Sequence, residues 1–155
     1  MKNSMLISID NAFIIEKMFG QDADVFDNAI LCELHLGFGS DIPISPHPQN
    51  IYIRLQLQTF CKVINPPKRW ERDKWDSVYI CITIDIVNNI NMNLRNASMK
   101  EEPLKIVFHK TEPIGMINGQ AAHYTELIFE GGYWMKFEHF GGHIQNMSNY
   151  IEYIQ

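Results

Sequence analysis

Val78, Ile80, Ile82, Ile84 and Ile86 occupy every second position of one stretch, and Tyr79, Cys81, Thr83, Asp85 and Val87 fill the gaps. Successive side chains of an extended chain point to opposite faces, so a period of two collects the β-branched residues on one side. Such a ridge has to be buried against something. Ile51, Ile53, Leu55 and Leu57 repeat the pattern, with Tyr52, Arg54, Gln56 and Gln58 opposite them, as expected of antiparallel strands with one wet face.

The rest of the chain is read against these two strands. Phe13, Ile14 and Met18 recur at helical spacing between Asp10 and Gly20, which predicts a helix over 10–19, N-capped by Asp10 and C-capped by Gly20. The period then changes. Ala29, Leu31, Glu33 and His35 alternate with Ile30, Cys32, Leu34 and Leu36, a strand expected to turn the second set inward. "GFGSDIPISPHPQ" reads as a loop, and "NPPKRWERDKWDS" as a long connection or short amphipathic helix. Asn88-Asn89 suits a hairpin turn before a strand through Ile90, Met92 and Leu94. Further strands are expected at Leu104–Phe108, Glu126–Glu130, Tyr133–Phe140 and Tyr150–Ile154, with "TEPIGMINGQ" turn-rich. Gly131-Gly132 suits a tight hairpin, and the pairs at 37–39 and 141–142 read as turns. The expected class is α+β, mainly antiparallel β. A short N-terminal helix precedes about seven or eight strands forming a curved sheet or partly open barrel or sandwich.

At 155 residues, 46% apolar and 20% charged, the chain makes one domain, 1–155, large enough to bury a core. No apolar run reaches a membrane span, and the N-terminus lacks a signal-peptide pattern, so a cytoplasmic location is expected. Three cysteines, Cys32, Cys61 and Cys81, form no zinc pattern and read as reduced thiols, with Cys32 and Cys81 as small apolar fillers in strands. The net charge of −5 is uneven: residues 1–50 carry seven acids and two bases, residues 51–100 four and eight, residues 101–155 seven and three. That balance argues against a nucleic-acid partner and for a basic protein.

Specific chemistry is thinly marked. Glu138, His139 and His143 fall within "EHFGGH", but adjacent strand residues point to opposite faces, and no diagnostic metal spacing accompanies them. Neither a nucleophile elbow nor a phosphate-cradling loop occurs. No cofactor or metal is therefore expected. Asp22, Asp24 and Asp27 lack the glycine and terminal glutamate of a calcium loop. They read as acids capping the corner before the first strand, and as candidates, with Glu33, for contact with a partner. Trp70 and Trp75 stand among Lys68, Arg69, Arg72 and Lys74, a composition suited equally to an interface anchor and to a core lid.

A short helix ending in "KMFG", then "VFDNAILCELHL" entering a strand, two long alternating strands and a final "GGYWMKFEHFGG" together resemble the immunity protein 50 family of bacterial polymorphic-toxin systems. Phe26 and Ala29 match that family's helix-to-strand corner, whereas Asp27, Asn28 and Ile30 depart from it. The resemblance implies a cytoplasmic antidote that binds a cognate toxin domain, a basic nuclease suiting the acidic ends best, and performs no catalysis. Two other classes stay open on the residues alone. One is a small-ligand-binding or metal-dependent enzyme on a β-barrel with Glu138, His139 and His143 in its mouth; the other is a scaffold subunit using Trp70 and Trp75.

Overall fold

The computed structural model describes residues 5–38, 51–94 and 103–150. Six antiparallel strands follow one short helix: β1 (Ile30–Phe38), β2 (Ile51–Thr59), β3 (Ser77–Asn93), β4 (Leu104–Ile117), β5 (Gln120–Phe129) and β6 (Trp134–Tyr150). Their order is β1-β2-β3-β6-β5-β4, and β4 returns to β1, so the sheet closes into a ring. The closing contact is short, Ile30 opposite Lys105 and Leu31 opposite Leu104.

The isoleucine ridge is the wall of the core. Ile80, Ile82, Ile84 and Ile86 are each at most 3% exposed, as are Ile53, Leu55 and Leu57 of β2. Leu127 and Phe129 of β5, Met135 and Phe137 of β6, and Ile106 of β4 meet them in one cluster. Each such side chain contributes about 1.5–3 kcal/mol by leaving water.

Helix α1 spans Phe13–Phe19, too short to hold itself together without packing. Ile15, Met18 and Phe19 supply that packing inside the same cluster, alongside Met5 and Leu6 from a 3-10 turn at Met5–Ser8 and Ile9 just after it. Gly20 closes the helix, its N–H donating to the Glu16 carbonyl at φ 102°. Asp10 is not the N-cap: that position is Ala12, with no side-chain bond. Residues 9–11 serve β6 instead, as described below.

Several boundaries differ from the sequence reading because pairing partners overrule local turn signals. Asn88-Asn89 lie inside β3, which runs unbroken to Asn93; the pairing with β6 merely shifts register there, between Ile86 and Ile90. "TEPIGMINGQ" is mostly β4; the turn is Asn118-Gly119, whose φ angles of 52° and 80° fit a two-residue hairpin. Gly131-Gly132 do form the β5–β6 turn, at φ 91° and 87°. Gly141-Gly142 do not turn; they lie within β6, which runs on past the expected strand end at Phe140 and ends its described course at Tyr150. Among the described residues there are therefore six strands rather than seven or eight. Gly37 sits in β1, where the Tyr52 ring lies across it and leaves no room for a Cβ. Positions 39–50, 95–102 and 151–155 of the expected loops and last strand fall outside the described residues.

In the first part of β1 the facing is the reverse of that expected, and beyond the bulge Leu34 is inward as expected. Ala29 and Leu31 are buried, and a bulge between Leu31 and Glu33 shifts the phase so that Leu34 packs on the core. Cys32 and Leu36 are exposed, so Cys32 is no core filler, whereas Cys81 is buried. The β2 wet face is partly dry as well: Tyr52 and Gln58 are buried.

Candidate functional site

The acidic corner is built around Asp24. Its Oδ1 accepts from the N–H groups of Phe26 at 3.1 Å and Asp27 at 3.2 Å, an Asx turn that fixes the approach to β1. Its Oδ2 lies 2.8 Å from Nε2 of His109 on β4, whose ring also packs on Phe26. Below the turn, Asn28 donates to the Ile106 carbonyl at 3.0 Å and Ile106 donates to that of Ala29 at 2.8 Å. Asp24, although itself half-exposed, is therefore committed to these bonds, whereas Asp22, Asp27 and Glu33 are exposed to water. The corner is an acidic turn pinned to β4 from beneath.

The tryptophans do not form a surface pair. Trp70 ends a 3-10 turn at Lys68–Trp70 and is 3% exposed; Trp75 packs edge-on against it, centroids 5.5 Å apart, at the margin of the core. Their charged neighbours Lys68, Arg69, Arg72 and Lys74 remain in water.

His139 faces the interior of the ring and is fully buried, while His143 is exposed and Glu138 lies between the two in exposure. Among the described residues no three His, Cys, Asp or Glu side chains are grouped to hold a metal ion. His139 belongs to a polar row across three strands: its Nδ1 is 2.8 Å from the Phe140 carbonyl, its Nε2 2.6 Å from Thr125 Oγ1, and Thr125 is 2.7 Å from Thr111 Oγ1. A carbonyl only accepts, so Nδ1 carries the proton. Nε2 then accepts from the Thr125 hydroxyl, and Thr125 in turn accepts from Thr111. Burial pushes the His139 pKa down to about 4, against a weaker opposing pull from the Phe140 carbonyl, so the ring is neutral near pH 7. The thiols of Cys61 and Cys81 are pushed up, chiefly by burial, away from the thiolate a nucleophile requires.

Beside this row the sheet opens. β5 pairs with β6 only from His123 to Ile128. Just beyond His139, Phe140 and Gly141 of β6 together face Asp85 of β3, a bulge of the kind that re-aims side chains. Into the gap comes the N-terminal segment. Ile9 bridges Gly142 in parallel, and the Asp10 N–H donates to the Gly142 carbonyl at 2.9 Å. The Asn11 side chain donates to the Ile144 carbonyl at 2.9 Å and accepts from its N–H at 2.8 Å, imitating a neighbouring strand.

The result is a cavity of about 420 Å³ walled by Asp10, Thr83, Asp85, His123, Phe140 and His143, with no lysine or arginine among the described residues of its lining. Thr83 is 7% exposed and its Oγ1 has no partner; the His123 Nδ1 is buried and unpartnered too. His123 stacks on His139 at 5.8 Å between centroids, and burial pulls its pKa down. Sequence reasoning named none of Asp10, Thr83, Asp85 or His123 as a site. The legible signal was Gly141-Gly142 inside an otherwise strand-like segment, since glycine in a strand often marks a bulge or close backbone approach.

A smaller cleft, about 270 Å³, is apolar and lined by Leu36, Phe38, Ile51, Ile86 and Ile90. Leu36, Phe38 and Ile51 are 52%, 65% and 42% exposed. Among the described residues no helix is long and apolar enough to cross a membrane. No family model, no curated protein and no solved structure matches this chain.

Proposed function

We propose that this chain is an immunity protein of the immunity protein 50 type, which binds a cognate bacterial toxin domain in the cytoplasm and blocks it by protein–protein contact, without turning over a substrate. The observation that carries the reading is the pinned acidic turn. Because Asp24 is spent holding the turn onto β4, Asp22 and Asp27 are presented on backbone that needs no ordering when a partner arrives. Preorganisation of this kind removes part of the entropic cost of association. Exposed carboxylates suit a basic partner, such as a nuclease with a cationic cleft, by speeding encounter and penalising wrong partners. The exposed Leu36, Phe38 and Ile51 supply apolar area of the sort that marks protein contact sites.

The test is co-expression with the toxin domain encoded immediately upstream of this chain's gene. Rescue of growth and a purified complex whose affinity falls with salt are expected. In that complex Asp22→Asn, Asp27→Asn and Glu33→Gln together should slow association roughly tenfold and flatten the salt dependence. A toxin that kills regardless, with no complex by size-exclusion chromatography, would overturn the reading.

A further inference from the structure

We infer that the cleft between β5 and the second half of β6 is a binding site for a neutral polyhydroxylated ligand the size of a monosaccharide. The site lies away from the acidic corner, and it is independent of the toxin-binding role proposed above. Its volume of about 420 Å³ falls within the range of about 300–1,000 Å³ usual for small-ligand pockets. Polar groups border the void from separate elements: Asp10 from the N-terminal segment, Thr83 and Asp85 from β3, His123 from β5 and His143 from β6.

Polar walls by themselves would only hold water; the unpaired groups point to a ligand. Thr83 is over nine-tenths buried, yet its Oγ1 has no partner within the folded chain, and the buried His123 Nδ1 has none either. Both side chains have mixed character, because a threonine hydroxyl donates and accepts, and a neutral imidazole does one at each nitrogen. Burial holds His123 toward its neutral form, and His139, on which it stacks, is neutral near pH 7 as well. A hydroxyl answers both, since it donates and accepts at a single atom. The aspartates add acceptors only. A carboxylate has about four lone-pair sites, so Asp85 can take a ligand hydroxyl in addition to the interaction it already makes. Recognition of this kind needs no net charge from the site.

A planar aromatic ligand fits less well. Phe140 is 6% exposed and the His123 ring is already stacked on His139 at 5.8 Å, so little aromatic face is open for a base to lie on. Hydroxyls radiating from a saturated ring reach several walls at once, and they reproduce the hydrogen bonds of any water they displace. The backbone admits the rim: a Cβ on Gly141 would sit 3.4 Å from Asp10 Oδ1 and one on Gly142 only 2.9 Å from the Thr83 carbonyl. The two glycines thus let the N-terminal segment bring Asp10 to the cleft.

The test is an NMR titration of the full chain with the methyl glycosides of glucose, galactose and mannose, following the amides of Thr83, Gly141 and Gly142 and the His123 ring. At least one glycoside is expected to give saturable shifts at millimolar concentration, confined to the residues of the cleft. Cyclohexanol, a ring with a single hydroxyl, should give none, and glucose 6-phosphate should bind no more tightly than the neutral sugars. Thr83→Val should weaken binding severalfold without lowering the melting temperature, and Thr83→Ser should restore it, a pair of outcomes that a purely structural threonine would not give. Asp10→Asn should also weaken binding severalfold. The assignment is overturned by no saturable shift with any of the three glycosides, by an equal response to cyclohexanol, by tighter binding of the phosphate, or by unchanged affinity in both Thr83→Val and Asp10→Asn.

Discussion

The two halves of β6 solve the same problem differently. From Trp134 to His139 the strand has β3 on one side and β5 on the other, and its inward residues Met135, Phe137 and His139 are buried. From Phe140 onward β5 is gone, and the vacated edge is taken by Ile9, Asp10 and a side-chain amide, Asn11. The first half is sealed; the second is patched by a borrowed segment and left with a cavity. Binding sites gather where a regular scaffold is interrupted.

The largest test of the sealed half is its response to acid. His139 titrates near 6.5 when unfolded but only at about 4 when folded, so between those values the unfolded chain binds a proton that the folded chain refuses. Stability contributed by the neutral ring is fully present above pH 6.5 and is lost as pH falls toward 4. With about 1.4 kcal/mol per pKa unit, the loss approaches about 3 kcal/mol. Denaturant melts of wild type and His139→Phe across this range check it: the variant should show a shallower slope.

The patched half is broken next by Gly142→Ala. The new methyl would lie 2.7 Å from Ile9 Cδ1 and 2.9 Å from the Thr83 carbonyl, so the N-terminal segment must lift or β3 must move. A loss of about 2–3 kcal/mol is expected from such overpacking. Hydrogen exchange should quicken at Asp10 and Ile144 but not at Phe137. Asn11→Ala should cost less, about 1–2 kcal/mol, by removing both bonds to Ile144 while leaving its backbone groups able to reach water. The smallest effect belongs to a site remote from β6: Asp24→Ala should cost about 1 kcal/mol by thermal melt, the usual worth of a cap of this kind at a half-exposed position. If Asn11→Ala proves as costly as Gly142→Ala, the N-terminal segment is an integral strand rather than a patch.

Much of the architecture was legible in the residues. The alternations at 53–57 and 78–86 mark buried faces that the structure seals, though Ile51 at the head of the first is exposed, and Gly20 and Gly131-Gly132 sit where positive φ is required. The candidate site was legible only in part. The acids at Asp22, Asp24 and Asp27 were visible, but the commitment of Asp24 depends on His109, which arrives from β4. Asp10 looked like a helix cap because it precedes a helical pattern; its N–H instead bonds to Gly142, far along the chain.

Alone, the sequence determined that this is a mainly antiparallel β protein with a short leading helix, because side-chain period is a local property of the backbone. Tertiary structure decided where strands end, which phase β1 takes after its bulge, and whether a glycine pair turns or lies flat. Those outcomes depend on which backbone donors and acceptors a distant strand supplies, and a chain read residue by residue does not carry that information.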